Sequence, residues 1–281
     1  MDVREFFVRL VRYVILVLWG AAVAAGTTDP NTPDEKYVEF GKQFPSIVQL
    51  RARVQCDKPE CEIKEHDQFG SAVIIKPHWI LTAAHVTTNT TKPVVIKDGV
   101  EYPLAIILAH KEYNSDNIGY HDIALGYSPT DFKLPFYTPL YNRADERTKS
   151  VTISGFGLHG TFLTGCNRSD RVRRAGHNKV EGFERTVLLC TPDVTNKFPL
   201  EFIIAPGDSG GGLFIGNELA GINSFLMAKD GKPDGTYGDE SAHTRVSLYV
   251  NWVNSQIQNY ELALQAQATM SSEPALAQPS P

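Results

Sequence analysis

The sequence predicts an all-β protein, a barrel or a sandwich. Two observations carry that expectation: short apolar runs, several with alternating positions, recur along the middle of the chain, and clusters of Gly, Pro, Asn and Asp separate them. A length of 281 residues, 42% hydrophobic and 21% charged, allows one large domain or two small barrels sharing a core.

In chain order, Arg4, Arg9 and Arg12 precede an apolar run of 13 residues, Tyr13 to Ala25, and Ala22-Val23-Ala24 supplies small residues for a cut. This pattern reads as a signal peptide over 1–25, hence a secreted, extracellular protein. The run is short for a bilayer span of about 20 residues. A buried helix and an uncleaved anchor are the alternatives, and membrane contact requires that the segment be retained. Residues 26–43 read as an N-terminal segment or short propeptide, and the folded domain as 44–259.

Phe44 to Val54 alternates apolar positions. Ser71 to Ile75 and Trp79 to Leu81 flank a break at Lys76-Pro77-His78. Val94 to Ile96 runs into Asp98-Gly99, a two-residue hairpin signal, and then into an apolar run from Tyr102 to Ala109. Pro103 puts the start of that run at an edge. Asp131 to Tyr141 is a connector. Strands resume at Val151 to Ser154, Thr186 to Cys190, Gly212 to Ile215 and Glu218 to Phe225, the last two joined at Gly216-Asn217. A closing helix over 247–258 follows from Tyr249, Trp252, Val253 and Ile257 on one face, with Ser247 as N-cap. Residues 260–281, rich in Ala, Gln, Ser and Pro, read as a disordered tail.

The net charge of −5 gives no general attraction to nucleic acid or anionic lipid. Nothing resembles a phosphate-cradling loop or a zinc-ligand cluster. In an oxidising compartment Cys56, Cys61, Cys166 and Cys190 point to two disulfides, with three pairings open. Cys56–Cys61 as a local clip and Cys166–Cys190 as a longer tie is the favoured pairing; free thiols are the alternative. Asn89-Thr90-Thr91 and Asn167-Arg168-Ser169 fit the glycosylation pattern. Arg168, Arg171, Arg173 and Arg174 read as a solvated basic loop.

Three segments carry chemistry: Thr82-Ala83-Ala84-His85, His121-Asp122-Ile123-Ala124-Leu125 and Gly207-Asp208-Ser209-Gly210-Gly211. In the order histidine, aspartate, serine they resemble the chymotrypsin-like (trypsin-like) serine peptidases, whose chain order sets them apart from other serine hydrolases. The resemblance covers roughly Phe44 to Gln258. It implies two antiparallel six-stranded β-barrels with a C-terminal helix, barrel 1 over about 44–130 and barrel 2 over about 148–245, and a site in the cleft between them. A serine hydroxyl needs a base to take its proton. His85 would be that base, Asp122 would hold its ring, and Ser209 would carry the acyl group. By resemblance the backbone N–H groups of Gly207 and Ser209 are the oxyanion donors, and Ser224 supports the aspartate beside the substrate strand. The implied partner is a protein or peptide substrate; no metal or organic cofactor is required. A non-catalytic binding module that kept the fold is the competing class.

The chain also departs from this family. Relatives usually begin with an Ile-Val-Gly-Gly-like end whose amine pairs with the acid before the nucleophile, here Asp208. No such motif precedes Phe44, and Lys36 offers a basic cut site over Thr27 to Gln43. A buried carboxylate without a partner is costly, so Asp208 must have one. The usual disulfides are largely missing: Val86 follows His85, and no cysteine lies close before Ser209. Ile203 stands where trypsin-like pockets carry an aspartate, and Leu226 where a glycine commonly keeps the pocket open. Ile203, Ser224, Phe225 and Leu226 are the substrate-binding candidates, with Asn223, Ser241 and His243 adding polarity near the walls. Together they favour a small or apolar side chain before the scissile bond.

Overall fold

A computed structural model describes residues 26–55, 65–117 and 119–272. Two seven-stranded antiparallel sheets, each curled on itself, form the body of the molecule. The first holds β2 (Ile47–Gln55), β3 (Glu65–Lys76), β4 (Trp79–Thr82), β5 (Thr90–Lys97), β6 (Val100–Pro103), β7 (Ile106–Ala109) and β8 (Ala124–Tyr127), in the order β6-β5-β2-β3-β4-β8-β7. Asp98 and Gly99 both take positive φ, 50° and 78°, the backbone that a two-residue hairpin between β5 and β6 requires. The run from Tyr102 to Ala109 is two strands at opposite edges of this sheet. Between them Leu104 N–H bonds Pro93 O and Ala105 N–H bonds Tyr127 O, so one extended segment closes the barrel. The resemblance implies six strands in each barrel; each curled sheet here pairs seven.

The second sheet has the order β12-β9-β16-β17-β18-β14-β13. Its strands are β9 (Ser150–Gly155), β12 (Arg174–Lys179), β13 (Gly182–Glu184), β14 (Val187–Cys190), β16 (Gly212–Ile215), β17 (Glu218–Met227) and β18 (Glu240–Arg245). A small sheet at its flank orders β11 (Gly165–Arg168), β10 (His159–Thr161), β1 (Thr27–Thr28) and β15 (Phe202–Ile203). Ile47, Leu50, Ile80, Leu81 and Leu125 anchor one apolar core, and Val151, Ile153, Leu188, Phe202 and Leu213 the other. Each such side chain stabilises the fold by about 1.5–3 kcal/mol when fully buried.

Several expectations are corrected. Residues 26–43, read as an N-terminal segment or short propeptide, pack into the fold: Thr27 and Thr28 are buried between β10 and β15, and helix α1 (Asp34–Gly41) buries Tyr37 in the second core. A two-residue strand of threonines is too short to show a period. Arg173 and Arg174 do not lie on a solvated loop. Arg173 donates to Gly41 O and Ile47 O, and Arg174, 1% exposed, forks onto Asp34 and Asp170. Ser247 does not cap the closing helix but donates to Glu146, which also holds Arg245. After α2 (Ala84–Thr87), the closing helix α3 runs Val250–Ser272, well into the supposed disordered tail. Ala, Gln, Leu and Glu are strong helix formers, and the low-complexity composition concealed this.

That extension is anchored at its start. Trp79, buried in the first core, donates its indole N–H to Glu261 Oε1 at 3.0 Å, and the Tyr260 ring meets Trp79 edge-on at 5.6 Å. Truncation after Asn259 leaves the indole N–H without its acceptor and strips an aromatic neighbour. The expected loss is about 2–4 kcal/mol, read as a lower thermal unfolding midpoint.

Candidate active site

Three elements bring the candidate residues together. His85 rides on α2 immediately after β4, and Asp122 sits between β7 and β8. His121 takes φ 52°, and the Ile123 N–H turns back to its carbonyl at 2.8 Å, which aims the Asp122 side chain inward. The His121 ring does not join the site; its Nδ1 meets Tyr249 Oη at 3.0 Å, and it stacks on His110. The third element is β17, where the register against β18 slips between Asn223 and Phe225. Ser224 is the extra residue of this bulge, and the bulge re-aims its hydroxyl and carbonyl away from the ladder.

Asp122 gathers these pieces. Its Oδ1 accepts the His85 N–H at 2.9 Å, and its Oδ2 meets His85 Nδ1 at 2.7 Å and accepts the Ser224 hydroxyl. Its backbone carbonyl accepts Thr244 Oγ1 at 2.9 Å. Burial alone would lift this carboxyl, but the facing imidazole and the donated hydrogen bonds from His85 and Ser224 hold it below the usual range. Burial likewise opposes a charged His85, and the Asp122 carboxylate outweighs that effect, leaving the imidazole above its ordinary value.

Ser209 lies in the turn before β16, which three hydrogen bonds tie to Ser71 and Asn223. Ser71 N–H bonds Ser209 O at 2.8 Å, Gly210 N–H bonds Asn223 O at 2.8 Å, and Ser71 Oγ donates to Gly207 O at 3.1 Å. Gly210 has φ 86°, and a β-carbon there would stand 2.1 Å from both Ser71 O and Thr82 Oγ1, so only glycine fits. The Ser209 hydroxyl donates to Ser224 O at 3.3 Å; among the described hydrogen bonds none joins it to the His85 ring. Ser224 therefore links Ser209, through its carbonyl, to Asp122, through its hydroxyl. Gly207, at φ 93°, and Ser209 are partly exposed residues, and among the described hydrogen bonds neither N–H donates to protein.

Asp208 is wholly buried beside them. Gly157 N–H reaches its Oδ1 and Ala205 N–H its Oδ2, each at 2.8 Å, and the Gly26 N–H is a third donor. Burial still pushes this carboxyl up to about 7. The role of Gly26 was not legible in the sequence, because its contact with Asp208 exists only once β1 is threaded between β10 and β15.

The candidate substrate residues divide. Ser224 and Phe225 lie on β17 beside Ser209, whereas Ile203 and Leu226 are buried in the second core. Asn223, Ser241 and His243 are fully buried and bonded to one another rather than lining a wall: His243 Nδ1 meets Asn223 Oδ1 at 2.9 Å and Nε2 meets Ser241 Oγ at 3.0 Å. Burial drives His243 down to about 3, so it is neutral. The expected Cys166–Cys190 bond is absent, and both thiols are free. Cys166 sits on β11 of the small sheet, bonded through its N–H to Asp234 O, while Cys190 on β14 faces the second core. Cys56 and Cys61 lie outside the described residues. Asn89 and Asn167 are both exposed.

Two curled β-sheets with a closing helix and this set of residues define a chymotrypsin-type protein. The family model described as Trypsin matches residues 43–253, and the chain belongs to that family. A serine protease of Anopheles gambiae, SP24D, is 25% identical over 211 residues, covering 66% of this chain and 71% of that one. Neuropsin, a serine protease of mouse brain, superposes with a TM-score of 0.58 at 19% identity, over 76% of this chain and 95% of its own. HL collagenase superposes with a TM-score of 0.59 at 20% identity, over 76% and 94%. Both structural likenesses speak to the fold.

The His85–Asp122 pair makes a direct prediction. In a proton NMR titration the His85 ring should titrate above the ordinary 6.5 or so. Asp122→Asn removes the charge that holds it up, leaves burial alone, and should bring it below that value.

Proposed function

We propose that this protein is a secreted serine endopeptidase that hydrolyses peptide bonds through His85, Asp122 and Ser209. One observation carries the reading: a single buried carboxylate, Asp122, binds His85 Nδ1 at 2.7 Å and also holds Ser224, whose carbonyl receives the Ser209 hydroxyl. Rotation about the Ser209 Cα–Cβ bond would turn that hydroxyl from Ser224 O toward the imidazole; such contacts often tighten only with substrate bound.

In the proposed reaction His85 Nε2 takes the hydroxyl proton as Ser209 Oγ adds to the scissile carbonyl. Asp122 keeps the proton on Nδ1 and stabilises the imidazolium. The N–H groups of Gly207 and Ser209, which among the described hydrogen bonds donate to no protein acceptor, receive the oxyanion. Losing one such donor typically costs about 10²–10³ in rate. The tetrahedral carbon then expels the amine, which leaves with the proton from His85. Water, deprotonated by the same imidazole, splits the acyl ester and restores Ser209.

Members of the Trypsin family act on proteins or peptides, and a polypeptide is the proposed substrate class. Ile203, buried where trypsin-like relatives carry an acid, leaves no carboxylate there to pair with a lysine or arginine before the scissile bond, and a small or apolar side chain is the proposed preference. Removal of residues 1–25 would release the chain, and among the described residues no helix is long and apolar enough to cross a membrane. Exposed Asn89 and Asn167 would carry the glycans.

The burial of Ile203 and Leu226 in the second core favours a second reading, a protease homologue that binds without turnover. A fluorophosphonate separates the two. It should label the secreted protein on Ser209 and leave Ser209→Ala unlabelled; absence of labelling in folded protein would favour the binding module. The labelling rate should fall as pH drops through the His85 pKa, which lies above the ordinary histidine value, because a protonated ring cannot act as base. A rate still at its maximum at pH 4 would remove His85 from that role.

A further inference from the structure

Beside the candidate active site, but not part of it, His110, Glu112 and His121 form a cluster of metal-ligating type. Each offers one ligand atom, and the three atoms all lie within 4.8 Å of one another. The sequence does not announce the cluster, because its spacing matches no zinc motif. The fold assembles it. His110 follows β7 and His121 precedes β8, so the pairing of these strands sets the two histidines side by side at the neck of the loop between them. The His110 N–H bonds Ile123 O at 3.0 Å, and a turn closed by the Tyr113 N–H on His110 O, at 2.9 Å, carries Glu112 back toward the pair.

Two details point to a cation. First, His121 Nε2 faces Glu112 Oε2 at 3.4 Å, longer than an ordinary hydrogen bond. It matches instead the gap between two ligands of one tetrahedral zinc, about 3.4 Å for bonds of about 2.0–2.1 Å. Second, the other nitrogen of that ring is already held. Its Nδ1 meets Tyr249 Oη at 3.0 Å, the kind of outer partner that orients a ligating histidine and leaves Nε2 for the ion. The His110 ring lies parallel to the His121 ring, with 8° between planes and centroids 4.9 Å apart, and stands edge-on to Tyr249 and Trp252. These aromatic neighbours fix the two rings, while Glu112 is exposed, so an ion can enter from solvent. The Glu112 N–H reaches His110 Nδ1 at 3.3 Å; metal binding gives up this long bond, and the exposed backbone there finds water instead.

We propose that His110, Glu112 and His121 form a zinc site that clips the neck of the β7–β8 loop beside Asp122. The inference does not depend on the peptidase reading. Two imidazoles and one carboxylate suit a divalent transition ion, whereas calcium and magnesium take oxygen ligands. Zinc has no geometric preference of its own from d-electrons, so it tolerates a trio that must close by no more than about 1.5 Å. Water fills the fourth position. Lys111, a cation beside the cluster, is exposed, and solvent screens it. His121 is followed directly by Asp122, and its carbonyl holds the Ile123 N–H that aims that carboxylate inward. An ion on the His121 ring therefore steadies the turn on which Asp122 stands.

Calorimetric titration of the whole protein with zinc chloride should find one equivalent bound, and the same titration with calcium chloride none. Three variants keep the local structure and remove one ligand each. His110→Phe retains the aromatic contacts, His121→Asn tolerates the left-handed backbone, and Glu112→Gln keeps the side-chain shape. Each should weaken zinc binding at least tenfold with an unchanged circular dichroism spectrum. Zinc should raise the thermal midpoint of the parent protein and leave that of His110→Phe where it was. His85→Ala should bind zinc as tightly as the parent does. Unchanged affinity in the three variants marks an adventitious ion only, and loss of binding in His85→Ala places the ion in the catalytic cleft. Either result overturns the proposal, as does a parent protein that takes up no zinc.

Discussion

The buried carboxylate of Asp122 is the interaction on which the arrangement depends. It is delivered by the first sheet, between β7 and β8, yet two of its partners come from the second: Ser224 Oγ on its side chain and Thr244 Oγ1 on its carbonyl. His85, from the first sheet, completes the set through both its backbone and its ring. A charge with that many donors is stabilised only where all of them converge, so it fixes how the two sheets meet. The same convergence sets the imidazole above and the carboxyl below their ordinary values, keeping the pair oppositely charged whenever the ring is protonated.

A second constraint is steric. The turn carrying Ser209 approaches other backbone so closely that glycine is required at particular positions. At Gly210 a side chain would strike Ser71 O and Thr82 Oγ1, and at Gly211 it would strike Ser154 O at 2.4 Å. These contacts join the turn to β3, β4 and β9, elements of both sheets. The Ser209 backbone is therefore held by strands whose own pairing does not depend on it, as preorganised donors need.

The parts legible in the sequence were those with local signals. The motifs around His85, Asp122 and Ser209 could be read because each is a short local pattern in a distinctive chain order, and the Asp98-Gly99 and Gly216-Asn217 turns because positive φ narrows the choice. Strand Gly212–Ile215 was read at its observed limits. Elements defined by distant partners stayed hidden. β1 is two threonines held by neighbours more than 130 residues away, and β12, Arg-Ala-Gly-His-Asn-Lys, has a composition that reads as loop. Arg173 and Arg174 looked like surface because nothing local announces the carbonyls and carboxylates that receive them. The cysteines misled for the same reason: spacing permitted a Cys166–Cys190 bond, and the separate sheets that carry the two residues do not form it.

Pre-steady-state kinetics with an activated aryl ester offer the most direct trial of Ser209 as a nucleophile primed by His85 and Asp122. A working site releases one equivalent of leaving group in a fast burst before the slower steady state, and the acyl group is found on Ser209 by mass after acid quench. Linear release with no burst, at a rate the same in Ser209→Ala, would contradict it.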